Sequence, residues 1–276
     1  MLTFVNKLPD FNPVNANGRP AVRVPTGPTY REFSLHYAED GTPANEATMI
    51  AGIEQVSIKI GGIVRWSCSG AWLVALNKYY NYGFTDGQLI IPLSRPWART
   101  MQGEENLAWG TRNVSNMHIE VKLAAGVTNP TLSADALVTP ESRDLGMIVE
   151  VHETPFEAIS AGKKEIPDLA KENGALLAVH LKSDDITALE IKMNKVPFIE
   201  NDIDLASYQR LLERIGGRVA QTGYVHADAM LLNRIDDAWP LAGLQTFNVN
   251  PTVSQAGSIP ILMETLNDPL GTVKAA

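Results

Sequence analysis

The most constraining feature of this chain is that it says the same thing twice. The segment Ile53-Glu-Gln-Val56-Ser-Ile58-Lys59-Ile60-Gly-Gly-Ile63 returns 133 residues later as Ile186-Thr-Ala-Leu189-Glu-Ile191-Lys192-Met193-Asn-Lys-Val196. Apolar residues fall under apolar ones, and Lys59 stands over Lys192. Each copy alternates apolar and polar residues, the period of a half-buried strand. Each is then interrupted by a two-residue break, Gly61-Gly62 or Asn194-Lys195, that suits a tight hairpin turn. A helix is predicted after each hairpin, because Trp72, Leu73, Leu76, Tyr79 and Tyr80, and again Leu205, Tyr208, Leu211, Leu212 and Ile215, recur at amphipathic spacing. Ser69 and Asp204 are placed as N-caps, and Gly83 and Gly216 stand near the helix ends.

The likeness extends outwards. Phe33, Leu35 and Tyr37 answer Leu177, Val179 and Leu181, and the loop 38–52 is longer than its counterpart 182–185. Leu89–Ile91 answers Val225–Ala227, Met117–Val121 answers Leu244–Val249, and Thr131–Val138 answers Ser258–Leu266. An ordered series of strands, turn and helix found twice predicts duplication rather than chance. The expected fold is therefore all-β: two tandem jelly-roll β-sandwiches, a double jelly roll, each with one inserted helix. The expected boundaries are an N-terminal arm over 1–17, a first jelly roll over 18–140 and a second over 141–276, joined near Thr139–Asp144. Pro9 and Pro13 in a stretch without strand pattern make 1–17 read as an arm, not as a sandwich strand.

Composition narrows function. A net charge of −8 gives no overall attraction for nucleic acid or anionic lipid, so no direct nucleic-acid contact is expected. The single cysteine, Cys68, cannot form an internal disulfide and reads as a buried, inert thiol. The first residues carry no signal-peptide pattern, and no apolar run reaches the roughly 18 residues that span a bilayer.

Chemistry is scarce. Two tandem jelly rolls could be a bicupin, but that metal site needs a closely spaced histidine pair. His36, His118, His152, His180 and His226 are all far apart in sequence. His180 is out of phase with Val179 and Leu181, so it is expected to face solvent or the opposite side of its sheet. No nucleophile elbow or phosphate loop is present; Gly61-Gly62 and Gly216-Gly217 serve backbone geometry. The acidic pairs Glu39-Asp40, Glu104-Glu105, Asp184-Asp185, Asp202/Asp204 and Asp236-Asp237 read as solvated loops and a helix cap, with calcium as the ion such oxygens would take. The irregular segment Pro96–Trp109, with Arg99 between two tryptophans, reads as a loop or short helix packed on the first sandwich, with an intersubunit contact, or a sugar- or protein-binding loop, as the alternatives. No catalytic or cofactor-binding residue is expected, no cofactor is required, and any metal ligands are unassigned.

The runs Lys163–Leu169, Ala175–Lys182, Ile186–Met193 and Tyr208–Gly216, with the early Val24–Tyr37, resemble the major capsid proteins of corticovirus-type phages, which are tailless, icosahedral and membrane-containing. The resemblance is diffuse, covers about two thirds of the chain and is weakest over 94–115. It implies a structural role: homotrimers forming pseudo-hexagonal capsomers that tile a shell over an internal membrane. It also implies bound calcium and contacts with neighbouring capsomers, vertex (penton) proteins and membrane proteins. The place implied is the virion capsid, assembled in the host cytoplasm. The competing reading is a two-domain jelly-roll protein that binds or processes glycans, which predicts an aromatic and acidic groove and an export signal.

Overall fold

A computed structural model describes residues 2–98, 105–167, 169 and 174–270. The chain divides into two compact units, Met1–His152 together with the tail from Asp268, and Glu153–Asn267.

In the first unit, β1 (Phe4–Lys7), β10 (Pro130–Thr139) and β3 (Thr29–Glu39) lie side by side, and β4 (Thr42–Pro43), β7 (Gln88–Pro92) and β8 (Trp109–Gly110) complete that sheet against β3. The second sheet runs β6 (Ile63–Cys68), β5 (Ile53–Ile60), β9 (Met117–Leu123), β2 (Ala21–Arg23). The alternation read from sequence is the core pattern: Val56, Ile58 and Ile60 of β5 and Phe33, Leu35 and Tyr37 of β3 are all buried.

The second unit repeats this order. β11 (Ile148–Ala158), β20 (Gly257–Asn267), β14 (Ala175–Lys182) and β17 (Tyr224–Asp228) form one sheet, with β18 (Trp239–Pro240) also on β14. The other holds β12 (Gly162–Lys163) and β13 (Ile166–Pro167) on β19 (Phe247–Val253), then β15 (Ile186–Met193) and β16 (Val196–Ile199). Leu176, Val179, Leu189, Ile191, Phe247 and Ile261 fill the core between them. The duplication is thus real for the main strands, with β4 and β12 as the short strands that lack a counterpart. Even Trp109, opposite Tyr30 on β3, has its counterpart in Trp239, opposite Leu176 on β14.

Several details differ from expectation. The first residues are not a free arm: Phe4–Lys7 pairs with β10 as β11 sits beside β20, and Leu8 and Phe11 are buried. The two compact units divide inside β11, at 152/153, since Val151 near the start of that strand lies opposite Trp66 of β6. Among the described residues the first unit holds more helix than the one segment expected. The long loop folds into α1 (Glu46–Gly52), capped by Asn45, ahead of the expected α2 (Gly70–Tyr79), capped by Ser69. α3 (Leu205–Leu211) starts at its expected cap Asp204, then widens into a π-turn over Leu212–Gly216. The left-handed residues that end these helices are Asn81 and Gly217, not Gly216, while Gly83 turns the chain two residues beyond Asn81. Both hairpin breaks are as read, with positive φ at Gly61, Gly62, Asn194 and Lys195. The outer strands keep their order but not the aligned register. Ile60 faces Met117 and Met193 faces Phe247, so Met117 corresponds to Phe247 rather than Leu244.

Candidate functional site

Cys68 lies buried on β6. Most of the described acidic residues of the pairs meet protein donors. The Tyr37 hydroxyl donates to Glu39 at 2.5 Å, and the Asn129 amide donates to Asp40 at 2.7 Å. Glu105 pairs with Arg31 and Arg143, while Glu104 lies outside the described residues. Asp185 accepts from Ser254 and Gln255, and Asp204 from the Ser207 backbone. Asp202 is exposed, and Asp237 meets Arg234. Among the described residues no three His, Cys, Asp or Glu side chains form a group that could hold a metal ion. In the 96–109 segment, Trp97 stacks on Tyr80 at 4.4 Å and Arg95 lies over both rings, which makes that end an internal packing cluster; Arg99 lies outside the described residues.

The histidines divide. His152 is exposed, and His118 is partly so on β9. His36 on β3 reaches Asp135 on β10 at 2.9 Å. His180 does face away from the core of its unit, as its phase requires, but not into water: it is fully buried, its Nε2 3.1 Å from Glu264 and its Nδ1 2.8 Å from Nδ1 of His226. Burial first, and the neighbouring His180 second, hold the His226 imidazole well below its ordinary pKa. Beside it Asp228 accepts from Arg218 at 2.8 Å, both side chains almost completely buried. Along the chain these histidines are 46 residues apart, and only the pairing of β14 with β17 brings them together. A signal was present, since the same spacing that sets Leu35 under Val179 sets His36 under His180.

What the surface offers is exposed apolar side chains. Ile63 (56% exposed) follows the first hairpin turn, and Val196 (57%) and Phe198 (45%) follow the second. Leu2, Phe4 and Val5 are exposed on and before β1, which sits on the outer side of β10. Among the described residues no helix is long and apolar enough to cross a membrane.

Two sandwiches whose main strands follow the same order define the class by fold: a double jelly-roll protein, the architecture of viral coat subunits. Residues 5–139 match the family model for the viral coat protein P2 N-terminal domain, and residues 148–269 match that for its C-terminal domain. The chain belongs to the viral coat protein P2 family, and it is a capsid protein with the fold of the major capsid proteins of icosahedral viruses. The major capsid protein P2 from bacteriophage PM2 superposes with a TM-score of 0.88 at 17% identity, covering 97% of this chain and 98% of that one. The Sulfolobus turreted icosahedral virus structure gives a TM-score of 0.72 at 13% identity, over 98% and 92% of the two chains. The PBCV-1 virus capsid gives 0.67 at 10% identity, over 97% and 94%. No curated protein matches by sequence. The glycan-binding or glycan-processing alternative finds no support in these comparisons.

Proposed function

We propose that this chain works as a homotrimer, the pseudo-hexagonal capsomer of an icosahedral shell built over an internal membrane, and that its role is structural rather than catalytic. The observation that carries this reading is the duplication of the main strands. Three chains with two like sandwiches each present six similar units, which lets a three-fold object occupy a hexagonal lattice position. The exposed apolar side chains at Ile63, Val196, Phe198 and β1 supply surface for contacts between neighbouring copies. Further partners in this reading are vertex (penton) and membrane proteins. Direct contact with nucleic acid is not, given the net charge of −8. A lone buried thiol suits assembly in a reducing host cytoplasm.

Solution mass tests the reading. A stable species of three times 30.1 kDa, appearing as hexagonal particles by electron microscopy, supports it, and a monomer at all concentrations overturns it.

A further inference from the structure

His36 and His180 occupy the same place in the two units. Each lies opposite a residue of the neighbouring long strand, Ser133 on β10 or Leu262 on β20. Each reaches diagonally to the carboxylate two positions further along that strand, Asp135 at 2.9 Å or Glu264 at 3.1 Å.

The surroundings of the two pairs differ. The His36 and Asp135 side chains are 39% and 35% exposed, and across the next strand pair His36 faces Gln88. His180 and Glu264 are 0% and 1% exposed, and in place of the glutamine stands His226.

The groups around the buried pair come from each element beside it. On β17, Tyr224 stacks on His226 with ring centroids 5.9 Å apart, and Lys182 of β14 lies over Tyr224. Asp228, next on that face of β17, is engaged by Arg218. From α3, Gln209 holds the His226 backbone, and burial, followed by the nearby Asp228 charge, pushes the Tyr208 hydroxyl above its ordinary value. β11, beside β20, carries Glu153 and Glu157.

Proton counting decides what this cluster tolerates. Two imidazole nitrogens 2.8 Å apart form a hydrogen bond only if one carries a proton and the other accepts it. With the His180 Nε2 proton directed at Glu264, the rings can both be neutral, or share one added proton. A second added proton sets two N–H donors head to head with no acceptor between them. No such conflict arises at His36, where a proton gained makes a charge-assisted bond to Asp135 in partial contact with water.

We propose that the His180–His226–Glu264 cluster is an acid-triggered latch: uptake of a second proton parts β14 from β17 and opens that sheet of the second unit, while the equivalent sheet of the first unit stays closed. The proton comes from bulk water, the bond between the two rings breaks, and each leaves as an imidazolium with both its protons. The low proton affinity of buried His226 agrees in sign. The opened state takes up a proton near the ordinary histidine value of about 6.5, so closure weakens as pH falls below it.

Hydrogen exchange of the intact protein between pH 7.5 and 5.0, corrected for the intrinsic pH dependence, tests this. The opening equilibrium of Ala175–Lys182 and Tyr224–Asp228 should rise below about pH 6.5 by about tenfold per pH unit for each proton the opened pair gains, up to about a hundredfold where both rings start neutral, with Thr29–Glu39 and Gln88–Pro92 flat. His226→Gln should flatten the slope in the second unit, and His36→Gln should leave it unchanged. Equal slopes in both units, or a slope that survives His226→Gln, overturns the latch. Should His226→Gln fail to fold, the comparison of the two units in the unaltered protein decides by itself.

Discussion

The side chain of Asn77 on α2 binds both backbone groups of Ile90 on β7: it accepts from the Ile90 N–H at 2.8 Å and donates to the Ile90 carbonyl at 2.7 Å. The same amide also donates to the Leu73 carbonyl one turn back. Gln209 on α3 treats His226 in the same way, donating to its carbonyl at 2.8 Å and accepting from its N–H at 3.4 Å. In both units an amide side chain thus completes the hydrogen bonding of the strand that its helix covers. Peptide groups left unpaired in a buried place cost far more than the net worth of one bond. Asn77→Leu should therefore destabilise the first unit by about 2–4 kcal/mol. Gln209→Leu, with one of its two bonds long, should cost the second about 1–2 kcal/mol. Urea unfolding followed unit by unit through hydrogen exchange measures both.

Glu190 on β15 should make the second unit sensitive to strong acid. Burial would push its carboxyl up. Hydrogen bonds from Lys163 at 2.6 Å, Lys192 at 2.8 Å and Asn250 at 2.9 Å outweigh that and hold it at about 2. A carboxyl held low contributes stability that is whole above about pH 4.5 and disappears as pH falls towards about 2. Glu190→Gln should cost about 1–3 kcal/mol at neutral pH and erase that part of the acid slope. Acid unfolding curves of the two proteins should converge at low pH; parallel curves would refute the assignment.

Gly70 opens α2 beneath the end of α1. A Cβ there would stand 2.6 Å from the Ile53 carbonyl oxygen and 2.9 Å from that of Met49. In an exposed helix, glycine to alanine stabilises by up to about 1 kcal/mol. Here two backbone atoms must move, so Gly70→Ala should instead destabilise by roughly 1–3 kcal/mol. The sign of the change in thermal midpoint is the test.

Removing residues 2–12 should harm folding and not only assembly. β1 adds its four residues to β10, and Leu8 and Phe11 are buried against the first unit. Losing two fully buried side chains of that size costs roughly 3–6 kcal/mol. A truncated chain with an unchanged melting temperature but defective shells would restore the free-arm reading.

Much of this architecture was legible because strands with one wet face write their period into the chain, and a duplicated fold writes it twice. β5, β15, the Gly61-Gly62 and Asn194-Lys195 turns and the caps Ser69 and Asp204 follow directly from residue type. β1 escaped because four residues at an exposed edge bury nothing and carry no period. α1 escaped because it is seven residues long, too short for its spacing to stand out within a loop. The register of β9 against β19 could not be read locally, since β5 and β15 set it from elsewhere in the chain. The buried histidine cluster was hidden for a related reason. Alternation says which side of a sheet a residue takes, but not whether water reaches that side.

The equivalence of Trp109 and Trp239 has an optical consequence. Four of the five tryptophans, Trp66, Trp72, Trp97 and Trp109, belong to the first unit, and Trp239 is the lone indole of the second. Trp239→Phe therefore leaves an emission spectrum that belongs to the first unit, and subtracting it from the parent spectrum isolates the second. The molecule thus carries the means to watch its halves melt separately, with no dye attached.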